Sequence, residues 1–289
     1  ISFLHIREWR IVWIHEILKD PEIVLFHHTK TLLLELSKLQ DPNTGIVHIQ
    51  LDRDDNDYCS IMFTEYLLFM CGELERKKTS KLRNNKRKAR YAKLSRYDHL
   101  PITLVGYNSD SFDSKSVLGA LEKVELPNGY VYHVTPNSGT AITRFSIRND
   151  DWANIGDLLA SHDLFRYMGC QPSLAQCHST YMGKKFGSDV ENYTQFCENY
   201  THDTILLRNL GNHLVLGKSE FPHLLTQRDG YRPTLSNELV TYKLEDYPEQ
   251  MRDEVKSVES RTFRMFSKAR EYMNGDIYVL LGAYIGANE

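Results

Sequence analysis

The sequence predicts a mixed α/β fold, and three observations carry that expectation. Short apolar runs rich in β-branched residues, above all Ile46–Leu51 (IVHIQL) and Ile102–Gly106, have the length and composition of buried strands. Around them lie stretches whose apolar residues recur at helical spacing, such as Thr31–Leu39 and Ser60–Leu74. Turn-forming clusters, Asp41-Pro42-Asn43-Thr44-Gly45 and Pro127-Asn128-Gly129, separate the two kinds of segment. Strands interleaved with helices describe a sheet with helices packed on it.

The elements follow in chain order. Ile1–Ile17 is rich in Trp, Ile and His in mixed periods, and Pro21 ends it. Glu22–His28 (EIVLFHH) reads as a short strand, and the leucines of Thr31–Leu39 form a helical stripe. The IVHIQL strand runs straight into Asp52, and Ser60–Leu74 places Phe63, Leu67, Met70 and Leu74 on one helical face. Ser116–Val124 reads as a short helix, Glu125–Thr135 as two strand-like pieces around Pro127-Asn128-Gly129, and Asp150–Phe165 as a helix. The run after Thr204 (ILLRNLGNHLVLG) is a strand or helix broken near Gly211. Asp246-Tyr247-Pro248-Glu249 has the capping residues of a helix start, and Asn274-Gly275 has the residues that stop one. A buried apolar segment, DIYVLLGAYIG, follows.

Composition bounds the class. With 289 residues, 41% of them apolar and 25% charged, the chain can bury a core and is not expected to be disordered. No apolar run reaches the roughly 20 residues needed to span a bilayer, and no signal peptide opens the chain, so a soluble cytoplasmic protein is expected. The chain starts at Ile1 and not at Met, as a fragment or a processed form would. Five cysteines without a CxxC pair read as reduced thiols. The sequons Asn192-Tyr193-Thr194 and Asn199-Tyr200-Thr201 are of a kind that arises readily by chance. There is no Walker loop, GxGxxG, GxSxG or HExxH, which weighs against P-loop kinases, Rossmann dehydrogenases, α/β-hydrolases and catalytic zinc.

Two features carry chemistry. The first is Asp52-Arg53-Asp54-Asp55 at the end of the IVHIQL strand. In open α/β sheets the carboxyl ends of strands are where ligands bind. Three crowded carboxylates repel one another unless a cation neutralises them, and oxygen donors suit Mg²⁺ or Mn²⁺. The bland alternative is a solvated acidic loop. The second feature is the stretch Arg76–Arg96, which holds 11 of the 35 Lys and Arg residues while the net charge is −3. Such a stretch contacts phosphates, on nucleic acid, an anionic surface or a diphosphate, or is simply an exposed face balancing an acidic remainder. Tyr91 is its only aromatic residue, which offers little for base stacking.

IVHIQLDRDDNDYCSIMFTEYL resembles the strand, R-L-D-x-D-D, helix segment of the rhamnosyltransferase family, whose members are similar to GT-A glycosyltransferases. Val124–Val134 (VELPNGYVYHV) and Ala175-Gln176-Cys177-His178-Ser179 resemble two later segments of that family, in the same order. The likeness spans residues 45 to 180; Gln50 stands where the family has Arg, and only 51 residues precede Asp52. The resemblance implies a GT-A-like, Rossmann-type mixed sheet flanked by helices over residues 1–215, with a helical C-terminal extension over 216–289. It implies a nucleotide-sugar donor, a hydroxyl acceptor such as a glycan, and Mn²⁺ or Mg²⁺. Asp54 is then the main metal ligand, Asp52 contacts the metal or the ribose, Arg53 and Asp55 support the donor, and His178 is a third ligand. Asp150 and Asp151, adjacent acids before an apparent helix, are candidates for the base that deprotonates the acceptor, or else helix caps. Two rival readings use the basic stretch: a Mg²⁺-dependent nuclease holding its metal on the same carboxylates, and a non-enzymatic polyanion-binding protein.

Overall fold

The structure is a computed structural model that describes residues 1–49, 56–85, 100–107, 113–136, 142–167, 173–217, 239–247, 249, 252–253, 255–256 and 261–287. Asp52, Arg53, Asp54 and Asp55 lie outside the described residues, as do 86–96 of the basic stretch.

The architecture is mixed α/β. Its centre is a four-stranded sheet of β5 (Ile102–Gly106), β6 (Tyr130–Pro136), β7 (Ile142–Asn149) and β8 (Leu159–Asp163), in the order β5-β8-β7-β6. β5 and β8 pair in parallel from Ile102↔Leu159 to Gly106↔Asp163, and the other two pairings are antiparallel. Among the described residues, three smaller antiparallel ribbons accompany it: β1 (Ser2–Phe3) with β4 (Val47–His48), β2 (Ile6–Arg7) with β3 (Arg10–Ile11), and β9 (Leu239–Thr241) with β10 (Thr262–Arg264).

Among the described residues the helices build two main cores. α1 (Ile14–Ile17), α2 (His27–Leu39), the apolar half of α3 (Asn56–Asn85) and α4 (Asp113–Leu121) cover the sheet, burying Ile14, Leu33, Leu36, Tyr66 and Leu121 against Phe145, Ile147 and Leu159. The second core joins α8 (Val190–Cys197), α9 (Thr204–Leu216) and α10 (Met265–Ala287) with Ile11 and Ile46, through Tyr193, Leu206, Leu210, Tyr278 and Ile285. The short α5 (Leu164–Tyr167) and α6 (Leu174–His178), the latter continued by a π turn over Ser179–Gly183 into α7 (Lys184–Phe186), pack on α10 in a smaller cluster of Leu164, Cys177 and Ala283. Gly211 lies within the unbroken α9, where the side chains of Thr194 and Val190 reach 3.1 Å from the position of a Cβ; that close approach of α8 explains the glycine. Among the described residues no helix is long and apolar enough to cross a membrane.

β4 lies between the two cores, and this accounts for the apolar run that the sequence shows. Val47 and Ile49 enter the first core while Ile46, on the alternate face, enters the second. A strand buried on both faces reads as continuous apolar sequence whatever the size of its sheet. The expectation that this strand belongs to the main sheet is therefore corrected, since its described strand partner is β1 alone.

Three further expectations are corrected. Glu22–Phe26 forms no strand, and α2 already begins at His27. Asp150–Phe165 is a 3-10 turn (Asp150–Ile155) followed by β8, because Gly156 at φ +70 breaks the turn and Leu158-Leu159-Ala160 are buried on both faces of a central strand. Asn274-Gly275 stops no helix: α10 passes straight through it, with the packing of its flanks outweighing weak local propensity.

Candidate functional site

The acidic segment is bounded by elements whose anchoring is explicit. On its near side, Ile49 N–H donates to Ile1 O at 2.8 Å, and the nitrogen of Ile1 lies 3.2 Å from Ile49 O. His48, on the face of β4 shared with Ile46, is buried and lies 3.1 Å from Asn274 Oδ1 through Nε2 and 2.9 Å from Ser2 Oγ through Nδ1. The amide oxygen can only accept, so Nε2 carries the proton and Nδ1 accepts from the Ser2 hydroxyl. Desolvation, with Arg270 second, lowers its pKa to about 4 and keeps the ring neutral. Tyr278 donates to Thr44 O at 2.6 Å, so α10 grips this segment at two points. On the far side α3 begins at Asn56, and Asp57 pairs with Lys123 just past α4. β4 and α3 thus flank residues 50–55 in the chain, and both are anchored in the fold.

His178 ends α6 in the second core. Its Nε2 and the Tyr193 hydroxyl close on the backbone of Gly282: a Cβ there would stand 3.2 Å from the first and 2.8 Å from the second. Burial, with His213 second, lowers its pKa to about 4. A neutral imidazole keeps a lone pair for a metal. Among the described residues, however, no three His, Cys, Asp or Glu side chains are grouped to hold one. Gly282 lies eight residues along α10 from Asn274, about 12 Å at 1.5 Å per residue.

Asp150 and Asp151 lie beyond the amino ends of β6 and β8. Asp150 pairs with Arg148 at 2.7 Å and its N–H donates to Gly129 O at 2.8 Å, while the Asp151 N–H donates to Asn149 Oδ1 at 3.0 Å. Next to them Glu75 of α3 accepts from Tyr130 Oη at 2.7 Å and from Asn149 Nδ2 at 2.9 Å. Asp57 and Glu75 are eighteen residues apart on α3, about 27 Å, so the acidic segment and the Asp150–Asp151 pair adjoin opposite stretches of that helix. What the structure gives these two acids is turn and ion-pair geometry.

Within the basic stretch, Arg76 and Lys78 have partners in the fold. Arg76 pairs with Glu73 at 2.8 Å, and buried Lys78 donates to Ile155 O at 3.0 Å and Asp157 O at 3.3 Å. At the carboxyl edge of the parallel pair stands Asp163, buried, with Oδ1 accepting from Phe165 N–H at 3.0 Å; it and His162 end a strand where the sequence predicts a helix. Sequence reasoning also misses the His48–Asn274 and Glu75–Tyr130–Asn149 contacts. The first has one signal in sequence, a histidine inside an otherwise apolar run.

Comparison with protein-family models, with curated proteins and with solved structures finds no match to this chain.

Proposed function

We propose that this chain is a metal-dependent glycosyltransferase of GT-A-like character, moving a sugar from a nucleoside diphosphate donor to an acceptor hydroxyl. The observation that carries the reading is the position of Asp52-Arg53-Asp54-Asp55, between a doubly buried strand and the start of a 30-residue helix. The resemblance to the rhamnosyltransferase family rests on that same order. Asp54 and Asp52 are the proposed ligands, with Arg53 and Asp55 beside the donor, and the neutral state of His178 suits a third ligand. A bound Mn²⁺ or Mg²⁺ would neutralise the diphosphate and stabilise the departing nucleotide.

The test is a thermal-shift panel of nucleoside diphosphates and nucleotide-sugars, with and without Mn²⁺, on the wild type and Asp54→Asn. A ligand that binds only the folded state raises the melting temperature by mass action. The reading expects a Mn²⁺-dependent shift with one nucleotide that Asp54→Asn abolishes. No shift with any donor, or a shift indifferent to Asp54, overturns it. Binding to nucleic acid that weakens steeply with salt would instead favour a polyanion role for residues 76–96.

A further inference from the structure

We draw no further inference here: the strongest candidate, the pair of the Tyr193 hydroxyl and His178 Nε2 that closes on Gly282 of α10 in the second core, belongs through His178 to the site already described, and the fully buried hydroxyl has no room beside it for a ligand.

Discussion

Asn274 holds His48 across 226 residues of sequence, with its Oδ1 3.1 Å from the imidazole Nε2. The contact ties the end of β4, four residues ahead of Asp52, to the middle of α10. It also joins two distant parts of the chain: the segment leading to Asp52 and the C-terminal helix.

Replacing Asn274 with Leu leaves the His48 Nε2–H buried without its acceptor. Removing one partner of a buried hydrogen bond costs about 1–3 kcal/mol. The expected outcome is a lower urea midpoint with an unchanged m-value. An unaltered midpoint would show that the bond contributes nothing to the anchoring of β4.

Three histidines, His48 and His178 buried and His5 half-buried, make stability depend on pH in a stated direction. His5 and His48 have pKa values lowered to about 4 by burial, with Arg7 and Arg270 as the second causes, and His178 has one lowered to about 4 by burial, with His213 second. In the unfolded chain each titrates near 6.5. Between pH 6.5 and 4 the unfolded state therefore binds more protons, so stability falls as pH falls through this window and is unaffected by these groups above it. Each histidine contributes a slope of up to about 1.4 kcal/mol per pH unit there. Urea unfolding at pH 7, 6 and 5 checks this, and His178→Gln flattens the slope by one proton. A profile flat from pH 7 to 5 would contradict the neutral state of all three rings.

Much of the local structure is legible in sequence, and the failures share a cause. Ile102–Gly106 is legible to the residue, because it is short, β-branched and closed by Gly106. The leucine stripe of α2 and the apolar face of α3 show in their helical spacing. Leu158-Leu159-Ala160 does not, since residues buried on both faces show neither period, and the adjacent Asp150-Asp151 imitates a helix cap. Asn274-Gly275 imitates a stop signal because local propensity is blind to His48, 226 residues away. The acidic segment stands out by its own composition. The grip of α10 on β4 does not, because tertiary partners leave no local pattern.

Thiol reactivity separates the cysteines. None of the four described ones is in a disulfide. Burial pushes Cys71 up to about 12, with Glu75 adding to the rise, and raises Cys177 and Cys197 to about 11. The thiolate is the reactive form, so these three are expected to resist iodoacetamide in the native protein at pH 8 and to react in denaturant. Half-buried Cys59 is expected to be labelled first among the described cysteines. Peptide mapping decides the order, and early labelling of Cys177 or Cys197 would mean that the second core opens readily.

Two glycines give opposite responses to alanine. Gly129 has φ +80, and a Cβ there would overlap Asn149 Oδ1 and stand 2.6 Å from Asp151 Oδ2. Asn149 cannot swing aside freely, because its Nδ2 donates to Glu75 at 2.9 Å. The left-handed backbone alone costs an L-residue about 1–2 kcal/mol, and the overlap adds to it, so Gly129→Ala is expected to destabilise by about 2–4 kcal/mol. Gly119 lies inside α4, where a Cβ would meet nothing within 4 Å. Gly119→Ala removes backbone freedom from the unfolded chain and is expected to stabilise by about 0.5–1 kcal/mol. Paired denaturation curves measure both. If Gly129→Ala proves neutral, Asn149 is not held by Glu75 as described, and the link between α3 and the amino edge of the sheet loses its central contact.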